Sequence, residues 1–321
     1  MTMHYPKSRD EWLTLRHAHV CSTESPSLFG YSPYLTALEL AVSKQQATYT
    51  DFESSERMEW GLTLQRAIAT NIARKYGVKV KALTGFATSS YTRMGASFDY
   101  SIVGEDETKV EDEGLRVMYR EHGPGVLEIK NVDGFIFRNQ WHEHNGVLEA
   151  PPHIEIQVQH QLNCIAWKWG AMGVLIGGNR LELLIRKYDD EIGAAIVKKT
   201  ALFWGDLERG KMPPPELPQD ADTIKRIYHF AEPGKLADLQ GDENFKILCA
   251  TVIEANARIK EATDAKESAQ AQIIIAIGDA EKALAAGYSV SAGMVAETEV
   301  KAYLRKAYRS VRVYAKKEKT K

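Results

Sequence analysis

The chain has 321 residues, of which 44% are hydrophobic and 26% charged, with a formal net charge of −2 at pH 7. These values exclude wholesale disorder and a uniformly basic nucleic-acid-binding surface. No apolar run approaches the ~20 residues of a membrane helix, and the polar start lacks the apolar core of a secretory signal. The cysteines Cys21, Cys164 and Cys249 are widely separated, which indicates a reducing compartment and argues against a CxxC zinc site.

The predicted elements change from helices to strands and back along the first two thirds of the chain. Residues 1–76 are mainly helical, and the longest helix, over 54–76, ends at Gly77, where glycine can take the left-handed conformation. Alternating or β-branched segments then predict strands at 91–94, 97–103, 115–119 and 126–129. A helix over 151–168, a hairpin over 174–185 and a helix over 189–210 follow.

A proline run at 213–215 predicts a domain boundary, because consecutive prolines break regular structure and stiffen a linker. We therefore expect a core over 1–212 and a C-terminal extension of helices and short strands over 213–321. Residues 301–321 hold nine Lys and Arg residues against one acidic residue, so the extension is basic at its end. This segment is either a nucleic-acid contact or a solvated terminus.

The sharpest chemical feature is Glu128-Ile129-Lys130 in a predicted strand. Side chains alternate between the faces of a strand, so Glu128 and Lys130 project together while Ile129 points the other way. Asp99 lies in a predicted neighbouring strand, and two carboxylates meeting at strand ends suit Mg²⁺. The competing interpretation is a solvent-exposed ion pair, which is the commoner meaning of E-x-K on a strand.

Five sequence blocks in a fixed order favour the first interpretation. They are Trp12-Leu13-Thr14-Leu15-Arg16 with Cys21-Ser22-Thr23-Glu24, then Trp60-Gly61-Leu62-Thr63-Leu64-Gln65, Ala96-Ser97-Phe98-Asp99, Leu127-Glu128-Ile129-Lys130 and Gln157-Val158-Gln159-His160-Gln161-Leu162. The series resembles the YqaJ-type viral recombinase family, which includes the lambda-type phage exonuclease, within the PD-(D/E)XK nuclease superfamily. The resemblance covers about residues 10–210. It implies an α/β fold with a central mixed β-sheet flanked by helices, plus a mainly helical C-terminal extension.

The resemblance also implies a role for each matching residue. Asp99 and Glu128 would bind Mg²⁺, with Mn²⁺ as a substitute and the Ile129 backbone carbonyl as a further ligand. Lys130 would position the attacking water, and Gln157 would hold that lysine or the water.

A separate group of matching residues would bind the DNA end. Arg16 would contact a 5′-terminal phosphate, helped by Ser22 or Thr23. The family's helix acid falls on Gln65 here, and an amide is a poor Mg²⁺ ligand, so the number of ions, one or two, stays open.

By the same resemblance, the chain is expected to be a 5′-to-3′ double-strand DNA exonuclease of phage-type recombination. It would release 5′-mononucleotides, leave a 3′ single strand, form a homotrimer and work with a single-strand annealing protein in the cytoplasm of a bacterial host or prophage carrier. The alternatives are a structure- or modification-specific DNA endonuclease of the same superfamily and a non-catalytic DNA-end-binding protein.

Three other features have simpler explanations. The sequence His142-Glu143-His144 lacks metal-ligand spacing and is predicted to be a surface loop. His160 is predicted to be a structural hydrogen-bonding group. The stripe formed by Ile154, Val158, Leu162 and Ile165 is predicted to be core packing.

Overall fold

The computed structural model describes residues 1–46, 55–89, 91–105, 113–144, 147–298 and 309–314. The chain divides into two compact units, residues 1–224 and residues 225–321. Every candidate site residue lies in the first unit. Most of the predicted basic end, residues 301–308 and 315–321, lies outside the described residues.

The first unit alternates helices and strands. Its described helices are α1 Arg9–Ala18, α2 Ala37–Gln45, α3 Glu56–Tyr76, α4 Glu113–His122, α5 Gly134–Gln140, α6 Pro152–Ile165, α7 Asp190–Glu208 and α8 Ala221–Ile227, with a short 3₁₀ helix at Ser25–Phe29. Its described strands are β1 Thr2–His4, β2 Val20–Cys21, β3 Val78–Ala82, β4 Phe86–Thr88, β5 Met94–Ser97, β6 Tyr100–Glu105, β7 Gly125–Val132, β8 His142–His144, β9 Val147–Glu149, β10 Trp169–Ile176 and β11 Arg180–Lys187.

A five-stranded mixed sheet forms the centre of this unit, in the order β11-β10-β7-β6-β3. The pair β7 and β10 is parallel, and the other neighbours are antiparallel. A second sheet has the order β1-β4-β5-β2. The predicted central mixed sheet flanked by helices is therefore confirmed.

The central strand β7 separates two cores because its side chains alternate between faces. Val126 packs with the α6 stripe of Ile154, Val158, Leu162 and Ile165, so the predicted packing of that stripe is confirmed. Leu127 and Ile129 instead pack with Ile68 and Ile72 of α3. Glu128 and Lys130 consequently face α6.

Helix ends follow local backbone chemistry. Gly77 closes α3 with φ 62°, as predicted for a left-handed glycine cap. The helix predicted over 151–168 ends earlier, at Ile165, because Ala166 adopts φ 57°.

Four local predictions were wrong. In the strand predicted over 91–94, residues 91–93 lie outside any strand and only Met94 belongs to one, as the first residue of β5. Residues 115–119 belong to helix α4, where the buried side chains Leu115 and Met118 have the three-residue spacing of a helix face. Residues 97–103 are not one strand, since β5 ends at Ser97 in one sheet and β6 begins at Tyr100 in the other. His142–His144 is strand β8, paired with β9, instead of a loop.

The first unit extends beyond the predicted boundary at 212–213. Asp220 is fully buried, accepts a 2.5 Å hydrogen bond from the Thr36 hydroxyl and accepts another from the Glu216 amide at 2.6 Å. The Thr223 hydroxyl donates to Glu39 at 3.1 Å. These polar contacts join the segment after the prolines to the capping box of α2, which is why it packs with the core.

The second unit contains the long helix α9, Glu243–Ile277, and a hairpin of β12 Lys282–Ala285 and β13 Tyr288–Ser291. None of the α9 residues is buried. Among the residues that the structure describes, every helix is too short or too polar to cross a bilayer.

Candidate active site

Glu128 is the centre of a buried polar cluster between β7 and α6. Its side chain accepts hydrogen bonds from the Lys130 ammonium and the Gln157 amide at Oε1, both at 2.7 Å. Its second oxygen, Oε2, accepts from Gln161 at 2.7 Å. Glu128 is only 5% exposed, so the interpretation as a solvent-exposed ion pair does not hold.

Helix α6 positions the two glutamines by its periodicity. Gln157 and Gln161 are four residues apart and therefore lie on one face, towards Glu128. The Gln157 amide donates to Glu128, while its carbonyl oxygen accepts from Lys130 at 2.9 Å. Gln157 thus fixes the ammonium and the carboxylate relative to each other.

Asp99 lies in the two-residue step between the sheets, where β5 has ended and β6 begins. Its Oδ2 accepts from the Ile129 backbone N–H at 2.9 Å, and its Oδ1 accepts from the Gln65 amide at 2.9 Å. Burial and then the charge of Glu128 raise the pKa of Asp99 from its ordinary 3.8 to about 7. Burial and the charge of Glu128 thus both oppose the ionisation of Asp99.

The Ile129 carbonyl faces the same side as Asp99. The N–H and C=O of one strand residue point to the same neighbour, and the pairing of β6 with β7 ends at Tyr100 and Leu127. Because the Ile129 N–H reaches the Asp99 carboxylate, its carbonyl opens towards the same gap in the sheet.

The donor set fits one hard divalent cation. A carboxylate has about four lone-pair sites, and the hydrogen bonds described leave acceptor capacity on both Asp99 and Glu128. A cation would also offset the burial, and then the repulsion by Glu128, that raise the pKa of Asp99. Within the described ranges no group of three or more His, Cys, Asp or Glu side chains could hold a metal. Mg²⁺ commonly binds through one or two carboxylates and keeps several waters, so this set suffices for one ion.

Gln65 is the residue at which the resemblance implies an acid of the family's helix. It lies on α3 and uses its amide as a donor to Asp99, at 2.9 Å. The side chain therefore orients the first carboxylate and adds no negative charge, so the residues present do not fit a second ion held wholly by the protein.

The candidates for phosphate binding lie on α1 and the loop after β2. The Arg16 guanidinium lies over the Trp12 ring, 4.7 Å from its centroid, with Nη2 3.5 Å from the Thr23 hydroxyl. Thr23 is exposed, whereas Ser22 is 4% exposed. The structure thus brings a largely buried Arg16, whose side chain is 15% exposed and lies 4.0 Å from Glu24, beside the exposed Thr23, and places Ser22 inside.

The family model for the YqaJ-like viral recombinase domain matches residues 11–166. This range contains all nine candidate site residues, from Arg16 to Gln157. The mixed five-stranded sheet flanked by helices confirms the predicted α/β architecture.

Similar proteins cover more of the chain than this domain. Protein YqaJ of Bacillus subtilis (strain 168) is 26% identical over 237 residues, which are 72% of this chain and 67% of that protein. The crystal structure of LHK-Exo with dAMP is 17% identical and covers 68% of this chain and 96% of its own, with a TM-score of 0.43. LHK-Exo is an alkaline exonuclease from Laribacter hongkongensis. A putative exonuclease from Eubacterium rectale is 8% identical and covers 75% and 99% of the two chains, with a TM-score of 0.41.

A buried ion pair supports the loop after β2, and sequence analysis missed it. The Lys44 ammonium binds Glu24 at 2.8 Å and donates to the Arg16 and His19 carbonyls, both at 2.8 Å. Burial alone would raise the pKa of Glu24, but Lys44 and then Arg16 hold it below its ordinary value. Glu24 also accepts from the Cys21 amide at 2.8 Å, so the pair fixes the end of α1 against the loop.

Gln161 connects this loop region to the acidic cluster and was also missed as a site residue. Its amide donates both to Glu128 and to the Ser97 carbonyl, the latter at 3.1 Å. The Ser97 hydroxyl accepts from the Trp12 indole at 2.9 Å, and Trp12 lies beneath Arg16. The signal in the sequence was the spacing of four residues from Gln157.

His160 has the structural role that the sequence indicated. It is fully buried, with Nε2 3.1 Å from the Gly95 carbonyl. Burial lowers its pKa to about 4, so the ring is neutral at pH 7.

Proposed function

We propose that the chain is a Mg²⁺-dependent 5′-to-3′ double-strand DNA exonuclease of phage-type recombination, with Mn²⁺ as a substitute metal. The observation that carries the proposal is the placement of both acids at β7. The buried Glu128 accepts from the Lys130 ammonium, and Asp99 accepts from the backbone N–H of the intervening residue, Ile129. The match of residues 11–166 to a viral recombinase family supports DNA as the substrate.

Asp99, Glu128 and the Ile129 carbonyl would hold the ion, which supplies Lewis-acid polarisation of the scissile phosphate. Lys130 carries a positive charge next to the carboxylates, where it can orient water and offset the charge that develops on phosphate oxygens. Gln157 holds the Lys130 ammonium in place through its carbonyl oxygen. Because burial and the charge of Glu128 raise the pKa of Asp99 to about 7, metal binding at neutral pH would release a proton from those molecules in which Asp99 is still protonated.

The proposal includes recognition of a 5′-phosphate by Arg16 and Thr23, with Ser22 behind them. A guanidinium fork matches phosphate geometry, and stacking on Trp12 keeps its plane fixed. The resulting strand polarity, the release of 5′-mononucleotides and the 3′ overhang belong to the same proposal, as do a homotrimer, a single-strand annealing partner and a cytoplasmic location.

The test of the proposal compares two DNA topologies. The purified chain should release acid-soluble nucleotides from 5′-phosphorylated linear duplex when Mg²⁺ or Mn²⁺ is present, and none when EDTA replaces the metal. Covalently closed circular duplex should survive the same incubation. Cutting of the circle would instead support the endonuclease alternative. End binding without any nucleotide release would support the non-catalytic alternative, which Gln65 favours because it replaces an acid.

A second prediction concerns the 5′ end of the DNA strand. Arg16→Lys keeps the charge but loses the bidentate fork, so cleavage of 5′-phosphorylated duplex should fall at least tenfold. Cleavage of a 5′-hydroxyl duplex should change much less, because that substrate offers no terminal phosphate to bind. Rates on the two substrates, measured side by side, check this. Equal losses on both would contradict the assigned role of Arg16.

A further inference from the structure

A cleft of about 430 Å³ lies beside the start of α6. One wall is Gly30–Pro33, the other is Pro151–His153, and Gln140 completes the lining. Prolines on both walls have fixed φ angles, so the cleft keeps its shape without a ligand. Tyr31 is 56% exposed and presents its ring to solvent. We call this feature the Tyr31–His153 cleft.

The helix that forms one wall of the cleft also carries the catalytic glutamine. His153 and Gln157 are four residues apart on α6, so they share a face and are separated by about 6 Å along the axis. Burial and then the positive charge of Lys130 lower the pKa of His153, so its ring is neutral at pH 7 and lies near that lysine. The cleft is therefore within one nucleotide's reach of the acidic cluster.

The ring of His153 is held by a neighbouring aromatic side chain. Tyr34 packs edge-on against it, with ring centroids 6.0 Å apart and an interplanar angle of 86°. The His153 imidazole and the Tyr31 phenol thus supply two aromatic rings to the lining of the cleft. Aromatic rings can stack on any nucleobase, since every base has a π face.

A second cleft, of about 450 Å³, adjoins the cluster on the side of Asp99. Its lining includes Tyr5, Trp12, Ser97 and Phe98. Trp12 lies beneath Arg16, and Phe98 directly precedes Asp99. If Arg16 holds the 5′-phosphate, the terminal nucleotide lies on this side, and the Tyr31–His153 cleft is left for the nucleotide beyond the scissile bond.

We propose that the Tyr31–His153 cleft binds the nucleobase on the 3′ side of the scissile phosphate, which is the second base of the strand being degraded. The proposal rests on the proposed nuclease function and adds a subsite to it. Stacking there would offset the cost of unpairing this base before cleavage. Stacking would have no sequence preference, and an enzyme that degrades any duplex needs a subsite that accepts every base.

The test is a double-mutant cycle between protein and DNA. Tyr31→Ala is combined with 5′-phosphorylated duplexes that are intact, abasic at the first nucleotide or abasic at the second. We expect Tyr31→Ala and the second-position abasic site each to lower kcat/KM about tenfold, and the two together to cause no further loss. Tyr31→Phe should behave as the unaltered protein, because it keeps the ring. Tyr91→Ala, at a side chain that is 96% exposed, is the matched control.

Losses that multiply, or coupling to the first nucleotide alone, would overturn the assignment of the cleft. The same cycle is also run as equilibrium DNA binding in EDTA, which needs no hydrolysis. Hydrolysis without second-position coupling in either measurement would refute the cleft and leave the nuclease proposal intact. Second-position coupling in the binding measurement, together with an absence of hydrolysis, would support the cleft and refute the nuclease proposal.

Discussion

Replacing Lys130 by methionine should lower the single-turnover rate of nucleotide release by about 10³-fold, with DNA-end binding nearly unchanged. Methionine retains much of the packing of the lysine stem but removes the ammonium that lies 2.7 Å from Glu128 and 2.9 Å from Gln157. Losses of 10²–10³-fold are typical when one preorganised electrostatic group is removed from an active site. Glu128→Gln should have at least as large an effect, since it removes half of the carboxylate charge available to the ion.

Rapid-quench measurement of release and anisotropy measurement of binding, on the same 5′-phosphorylated duplex, separate the two effects. Lys81→Met is a matched control, because Lys81 is an exposed lysine on the edge strand β3 of the same sheet. Its rate should equal that of the unaltered chain. A Lys130→Met rate within tenfold of the unaltered chain would show that the ammonium has no direct part in the chemistry.

The parts of the fold that follow from local periodicity could be predicted from the sequence. Alternation in β7 places Glu128 and Lys130 on one face, and the four-residue apolar stripe of α6 identifies the face that packs on the sheet. Gly77 ends α3 because a left-handed cap is a property of one residue. These features depend on neighbours a few positions away, which the sequence displays directly.

The parts that depend on contacts distant in the chain were not predictable in this way. Lys44 binds Glu24 and two carbonyl groups that α1 and β2 bring together, and nothing in its own neighbourhood indicates this. The step between sheets at Phe98 and Asp99 was missed because both flanking segments have strand character. Because the strand is interrupted there, the Asp99 carboxylate, and not a neighbouring strand, accepts the hydrogen bond from the Ile129 backbone N–H.

Asp99→Asn should stabilise the metal-free protein at pH 8 while abolishing its nuclease activity. The folded pKa of Asp99, about 7, exceeds its ordinary 3.8, so the folded state holds this proton more tightly than the unfolded chain does. Ionisation of Asp99 therefore lowers the free energy of unfolding. This loss grows from about pH 4 to pH 7 and then levels off, at about 4 kcal/mol. Asparagine avoids it, since its oxygen can accept from Ile129 while its amide donates to a reoriented Gln65.

Thermal unfolding in EDTA at pH 5 and pH 8 measures the effect. The variant should melt about 10 °C above the unaltered protein at pH 8, with less than half that advantage at pH 5. Mg²⁺ should raise the melting temperature of the unaltered protein at pH 8 and not that of the variant. Asp133→Asn is a control of opposite sign, because backbone hydrogen bonds from Phe135 and Ile136 lower the pKa of this exposed helix cap, so its charge is favourable. Equal melting temperatures for Asp99→Asn and the unaltered protein at pH 8 would mean that neither burial nor the charge of Glu128 opposes the ionisation of Asp99, and the case for an ion at this carboxylate would lose its electrostatic basis.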